Sequence, residues 1–160
     1  MAIKVGDKIP SVTLHRMDNG SVNEVKTEDL FKGKKVVLFA LPGAFTPTCS
    51  ARHLPGFIDR AEDLQKKGVD TIACLSVNDA FVMDAWGKDR GAGNKVMMLA
   101  DGNADFAKAL GLTMDGTKYG MGTRSQRFAM VVDNGVVKTL NVEAPGAFEV
   151  SSAEAMLKAL

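Results

Sequence analysis

Lys35-Val-Val-Leu-Phe-Ala-Leu41 runs into Pro42-Gly-Ala-Phe-Thr46-Pro-Thr-Cys49, and the junction of these two segments decides the architecture. The first is a short run of β-branched and large apolar residues ended by Pro42-Gly43, the pattern of a fully buried strand that stops at a turn. In the second, Thr46 immediately precedes Pro47, so Thr46 reads as a helix N-cap and Pro47 as the first helical residue. Cys49 then falls in the first turn of a helix that follows a core strand.

That placement prepares a thiol for reaction. First-turn N–H groups have no partner within the helix and, with the helix dipole, favour an anion beside them. An unperturbed thiol, with a pKa of about 8.5, is only a few per cent ionised at neutral pH, and a helix N-terminus or a neighbouring cation increases that fraction. Full ionisation gains only about 30-fold, roughly 2 kcal/mol, while nucleophilicity falls with pKa. Efficient catalysis therefore needs donors that orient the second reactant, and the Thr46 hydroxyl and an arginine are the groups to look for.

Working outward, Ser11 to His15 and Ser21 to Val25 flank Asp18-Asn19-Gly20, an N-terminal β-hairpin signal. Beyond Cys49, Leu54, Phe57, Ile58, Ala61 and Leu64 share one helical face up to Gly68, with Pro55-Gly56 expected to kink it. Val69 to Val77 reads as a strand, and Asn78 or Asp79 caps a helix expected to bury Phe81, Val82, Ala85 and Trp86. Val96 to Ala100 is a third core strand. Asn103 to Leu110 is a short helix closed by Gly111, followed by an aperiodic Gly-rich segment to about Gln126, long for a passive connector. Arg127 to Val132 and Val136 to Val142 flank a second hairpin turn, Asp133-Asn134-Gly135, and Ser151-x-x-Glu154 is a capping box opening a last helix, Ala153 to Leu160. This order predicts an α/β fold: a central mixed β-sheet flanked by helices, thioredoxin-like, with an N-terminal β-hairpin extension.

Composition narrows the partners. The 160 residues are the size of one domain, 46% hydrophobic and free of low-complexity tracts, so residues 1–160 are expected to form a single domain. Lys+Arg of 20 against Asp+Glu of 19 gives +1, with no electrostatic case for nucleic acid or an anionic membrane. No stretch approaches the ~20 apolar residues of a membrane span, and the first residues lack the regions of a signal peptide. Two cysteines make no disulfide framework and fit a reducing compartment, which predicts a cytoplasmic protein; a removed organelle-targeting segment would leave no trace. His15, His53 and the two cysteines form no metal-ligand pattern, the nine methionines have no repeated spacing, and no cofactor is implied.

Pro42-x-x-x-Thr46-x-x-Cys49 resembles the active-site signature of the peroxiredoxins, thiol peroxidases that reduce hydroperoxides. His53-Leu-Pro-Gly-Phe57, Ala73 to Phe81 and Arg127-Phe-Ala-Met-Val-Val132 resemble, in order, segments of the peroxiredoxin V or plant type II subfamily, so the resemblance covers most of the chain. It implies that Cys49 is the peroxidatic nucleophile, attacking one peroxide oxygen to become a sulfenic acid. Thr46 would hydrogen-bond the peroxide, Pro42 would shield the pocket from water, and Arg127 would polarise the peroxide and favour the thiolate. Some members carry a resolving cysteine near the C-terminus, but Val142 to Ser152 contains none. The resemblance is therefore to a one-Cys member recycled by an external thiol: glutathione, glutaredoxin or thioredoxin. It also implies a homodimer formed near the active-site loops, with Phe45 and Phe81 as contacts.

Each residue has a plainer reading. Cys49 by placement alone could be a small buried hydrophobe, and Arg127 at a strand's head an ordinary surface charge; the signature favours the catalytic reading of both. Cys74, within the apolar run Thr71 to Val77, reads as a buried inert thiol that does not pair with Cys49. His53, four residues beyond Cys49, could tune the thiolate or serve packing, and Arg124 could support Arg127 or be a solvated arginine. Dithiol exchange is disfavoured because Cys49-Ser-Ala-Arg52 lacks a second cysteine, and a phosphatase loop fails because its arginine position holds Pro55. A cysteine hydrolase lacks a marked base and third group. A thioredoxin-fold redox sensor or holdase switched by Cys49 oxidation stays open as the alternative to turnover.

Overall fold

The computed structural model describes residues 2–160. Its main sheet is built from β1 (Thr13–Asp18), β2 (Ser21–Lys26), β3 (Lys35–Ala40), β4 (Thr71–Ser76), β5 (Met97–Ala100), β8 (Phe128–Asp133) and β9 (Val136–Val142), in the order β2-β1-β5-β4-β3-β8-β9. β3 runs parallel to β4, and β4 to β5, whereas β8 joins β3 antiparallel. The N-terminal hairpin docks on this sheet through β1, antiparallel to β5. Helices α1 (Thr27–Phe31), α2 (Leu54–Asp59), α3 (Ala61–Lys66), α4 (Ala80–Arg90), α5 (Asp105–Leu110) and α6 (Ala153–Ala159) cover both faces. This is the thioredoxin-like α/β architecture expected from the strand and helix order.

The alternation of β3 shows why the strand is apolar throughout. Val37, Phe39 and Leu41 pack into one core with residues of α2, α3, α4 and α6, while Val36, Leu38 and Ala40 pack into a second core with Phe31, Phe106 and Leu110. A strand with helices on both faces has no polar side. Both hairpins turn where read: Asn19 and Gly20, and Asn134 and Gly135, have positive φ, the backbone that a two-residue turn between twisted strands requires.

Three local expectations are corrected. α4 is capped by Asp79, whose carboxylate accepts from Val82 N–H, but its buried face is Ala80, Met83, Trp86 and Gly87. Phe81 is 65% exposed, because the helix begins one residue after the cap and its apolar stripe is set by Ala80 and Trp86. The Gly-rich segment is not wholly irregular: β6 (Thr113–Asp115) and β7 (Thr123–Ser125) pair as a second small sheet, each too short to show a period. Finally, α6 is capped by Ser152, whose hydroxyl accepts from Ala155 N–H, and Ser151 is turned to another use. Among the described residues, no helix is long and apolar enough to cross a membrane.

Candidate active site

Beyond β3 the chain makes a loop that several side chains pin. Asn78 Oδ1 accepts from Ala44 N–H at 3.0 Å and from the buried Ser76 hydroxyl at 2.7 Å. Arg124, on β7, donates through Nη1 to the Pro42 carbonyl at 3.2 Å and through Nε to Met121 O at 2.9 Å. Helical structure begins at Pro47, and the Thr46 carbonyl accepts from Ser50 N–H at 2.9 Å, the N-cap arrangement expected from the sequence. The Thr46 hydroxyl, however, donates to Gly43 O at 2.7 Å and is not spent on capping.

The helix is wound wide over Cys49–His53, where Leu54 N–H reaches back five residues to Cys49 O. Pro55 accounts for this: it has no N–H for the carbonyl four residues earlier, so the ladder slips by one before α2 begins. The expected irregularity at Pro55-Gly56 thus lies on the Cys49 side of the proline. Trp86, fully buried on α4, donates through Nε1 to Ser50 Oγ at 2.9 Å and anchors the wide turn.

This turn carries Cys49 and His53 to Arg127, which stands immediately before β8. Arg127 Nη2 donates to Cys49 Sγ at 3.1 Å, and its Nη1 donates to His53 Nδ1 at 2.8 Å. His53 Nε2 lies 2.9 Å from Ser151 O. A guanidinium only donates and a carbonyl only accepts, so the ring is neutral with its proton on Nε2. Burial first, and then the Arg127 charge, hold the His53 pKa down at about 3 against the opposing pull of the Ser151 carbonyl. His53 is therefore a neutral link and not a base. Cys49 and His53 have no exposed surface.

Two further groups were not legible in the sequence. Glu143, just past β9, accepts at Oε2 from the N–H groups of Glu149, Val150 and Ser151 and from the Ser151 hydroxyl, at 2.6 to 2.9 Å. Burial raises its carboxyl pKa, but these donors, the Ser151 hydroxyl foremost, outweigh it and hold the group below its usual value. Phe148, in the segment so gathered, places its ring 4.9 Å from the His53 ring and 5.8 Å from the Arg127 Cζ. Neither residue lies in a periodic stretch, and only the density of donors around one carboxylate, invisible in one dimension, distinguishes Glu143.

A cavity of about 360 Å³ opens beside this cluster, lined by Pro42, Thr48, Thr113, Met114, Arg127 and Glu143 among others. Arg127, bonded to Cys49, lines this cavity together with Pro42, while Thr46 lies in the loop between Pro42 and Cys49 and Arg124 supports that loop. Cys74 lies in β4, fully buried with its thiol pushed well up by that burial, and neither cysteine is in a disulfide. Among the described residues, no group of His, Cys, Asp and Glu side chains could hold a metal ion. The arrangement offers a thiol sulfur held by a fixed cation, beside a small cavity with hydrogen-bonding walls.

Comparison with known proteins agrees with this chemistry. The redoxin family model matches residues 4–157. The chain is 55% identical over 163 residues to "Peroxiredoxin-2E, chloroplastic" of Arabidopsis thaliana, covering 99% of this chain and 70% of the relative. Peroxiredoxin-2C of the same plant is 50% identical over 159 residues, covering 99% and 98%. The solved structure of reduced Prx3 in complex with H2O2 from Vibrio vulnificus superposes with a TM-score of 0.95 at 57% identity, covering 98% of each chain.

Proposed function

The chain belongs to the redoxin family and, within it, to the peroxiredoxins, thiol-dependent peroxidases, and on that premise we propose that Cys49 is its peroxidatic nucleophile, served by Arg127, Thr46 and Pro42. The observation that carries this reading is the 3.1 Å bond from Arg127 Nη2 to Cys49 Sγ, made between residues 78 apart in sequence. A fixed cation on the sulfur favours the thiolate and remains in place as charge moves onto the peroxide.

In the reaction, the Cys49 thiolate attacks one oxygen of the hydroperoxide. The S–O bond forms, the O–O bond breaks, and the departing oxygen takes a proton to leave as water or an alcohol, with Cys49 oxidised to the sulfenic acid. Arg127 Nη2 is positioned to follow the charge from sulfur to the leaving oxygen. The Thr46 hydroxyl, its proton directed to Gly43 O, keeps lone pairs with which to accept the peroxide O–H and so set its orientation. Pro42 forms an apolar wall of the cavity, which is larger than hydrogen peroxide needs and has room for the carbon chain of a small organic hydroperoxide.

Reduction of the sulfenic acid then takes two thiols: one forms a mixed disulfide and releases water, and the second displaces Cys49 to give the donor disulfide. Val142 to Ser152 holds no cysteine and Cys74 is sealed in the core, so the reading assigns both thiols to an external donor, glutathione, glutaredoxin or thioredoxin. It further takes residues 1–160 as one domain acting as a homodimer through Phe45 and Phe81, which are 52% and 65% exposed beside the active-site loop, in a reducing compartment such as the cytoplasm.

The test is steady-state hydrogen peroxide consumption by the wild type and Cys49→Ser, with glutathione plus glutaredoxin and, separately, thioredoxin plus its reductase. Turnover that requires Cys49 with one of these donors supports the assignment. Peroxide consumption retained in Cys49→Ser overturns it, and a single stoichiometric oxidation of Cys49 with every donor would favour the redox-sensor reading over turnover.

A further inference from the structure

We propose that Glu143 is a positioning residue for the peroxide reaction, setting the Arg127 guanidinium on Cys49 through the Ser151 carbonyl and the His53 ring. The proposal rests on the peroxidatic reading of Cys49 and concerns what holds that centre in register.

The connection is continuous and directed at every link. Glu143 Oε2 gathers the N–H groups of Glu149, Val150 and Ser151 at 2.8, 2.9 and 2.8 Å, and the Ser151 hydroxyl at 2.6 Å. Ser151 thereby has its N–H and its hydroxyl committed to the carboxylate, which leaves its carbonyl to accept from His53 Nε2 at 2.9 Å. That bond fixes the His53 tautomer, so Nδ1 presents a lone pair to Arg127 Nη1 at 2.8 Å, and Nη2 falls on Cys49 Sγ at 3.1 Å. At its other end Glu143 is tied to the same arginine, because its own N–H donates to Arg127 O at 2.9 Å. One residue thus constrains Arg127 at its backbone directly and at its guanidinium through two intermediates.

Glu143 supplies most of the side-chain hydrogen bonds to the segment it organises, beside Asn141 Nδ2 donating to Val150 O at 2.9 Å and Arg52 lying 4.8 Å from the Phe148 ring. Residues 143–152 lie between β9 and α6 without helix or strand, and three successive N–H groups there converge on a single carboxylate oxygen. A buried carboxylate is costly unless its donors are all supplied, and here four are. The same segment presents Phe148 to the Arg127 guanidinium and the His53 ring. Loss of the carboxylate would free the carbonyl that sets His53 and the Phe148 ring that packs on it.

The experiment compares full-length wild type, Glu143→Gln, His53→Phe and the double variant. Its readouts are the single-turnover rate of Cys49 oxidation by hydrogen peroxide, the ultraviolet absorbance of the Cys49 thiolate, and the thermal midpoint. Expected are losses of about tenfold or more in rate for Glu143→Gln and for His53→Phe, with reduced thiolate absorbance in each. In the His53→Phe background, Glu143→Gln should cost less than about twofold, because the link it acts through is already cut. Glu143→Asp, which keeps the charge, should recover part of the lost rate. A rate within about twofold of wild type for Glu143→Gln, even with a lowered thermal midpoint, or fully additive losses in the double variant, overturns the proposal. If the Glu143 variants do not fold, His53→Phe decides alone, and wild-type rate and absorbance in that variant overturn the relay. A wild type that hydrogen peroxide does not oxidise at Cys49 would instead sink the peroxidatic reading itself, and this proposal with it.

Discussion

Arg127 and His53, 74 residues apart in sequence, are joined by a 2.8 Å hydrogen bond from Nη1 to Nδ1 that leaves Nη2 of the same guanidinium on the Cys49 sulfur. The planar fork is what allows one side chain to hold both. A lysine, with one compact ammonium, cannot reproduce two parallel bonds in fixed directions. Arg127→Lys should therefore fall almost as far as Arg127→Ala in the rate of Cys49 oxidation, by about 2–4 kcal/mol of transition-state stabilisation, the scale of a lost oxyanion donor. A loss below about tenfold in either variant argues against the role.

His53 makes the fold acid-sensitive in a defined window. Its ordinary pKa of 6.5 applies in the unfolded chain, and burial with the Arg127 charge holds it near 3 in the fold. Between these values the unfolded chain binds a proton that the folded protein excludes, so stability is full above about 6.5 and falls as the pH drops toward 3. The slope from this one residue is at most about 1.4 kcal/mol per pH unit. Urea unfolding of wild type and His53→Phe across this range isolates it: the difference in stability between the two should change with pH by that slope. A constant difference would mean that His53 is not held neutral.

Cys74 offers a control. It lies within β4 and, unlike Cys49, has no guanidinium hydrogen-bonded to its sulfur, and burial raises its thiol well above the usual value, so it supplies no thiolate. Cys74→Ser should lower stability by about 1–3 kcal/mol, because a hydroxyl replaces an apolar group in the core, while peroxide turnover per folded molecule stays within about twofold. A collapse of turnover with the fold intact would assign Cys74 a redox role.

What the sequence disclosed, and what it withheld, divides along the range of the interactions. The strand ending at Leu41, the Thr46-Pro47 helix start and the two Asn-Gly turns are local and were readable from neighbouring residues. The phase of α4 differs from the sequence expectation because Phe81 and Ala80 both fit an apolar stripe, and only packing against the sheet decides which faces in. The sequence pattern puts the last cap at Ser151, but Ser152 takes that place because Glu143 holds the Ser151 hydroxyl. Arg127 is legible only through the resemblance, since a charge at a strand's head has no pattern of its own. The sequence leaves the role of His53 open and does not mark Glu143, because their meaning lies in contacts across 74 and 98 residues, and across the irregular stretch that follows β9.

Gly43 lies where Arg124 of β7 crosses the loop before Cys49 to reach the Pro42 carbonyl, and its substitution should separate loop position from stability. A Cβ there would lie 2.8 Å from Arg124 Nη1 and 3.2 Å from Thr46 Cγ2. The arginine tip can swing aside at little cost, but in doing so it gives up its bond to the Pro42 carbonyl. The threonine is less free, because its hydroxyl is held to Gly43 O. Gly43→Ala should therefore cost no more than about 1–2 kcal/mol in stability yet lower the rate of Cys49 oxidation by about tenfold, since Pro42 and Thr46 are both displaced. If the strain passes through Arg124, then in an Arg124→Ala background the added methyl should cost less than it does alone. Equal costs in both backgrounds would place the strain on Thr46, and an unchanged oxidation rate would mean that the loop does not set the geometry of the peroxide site.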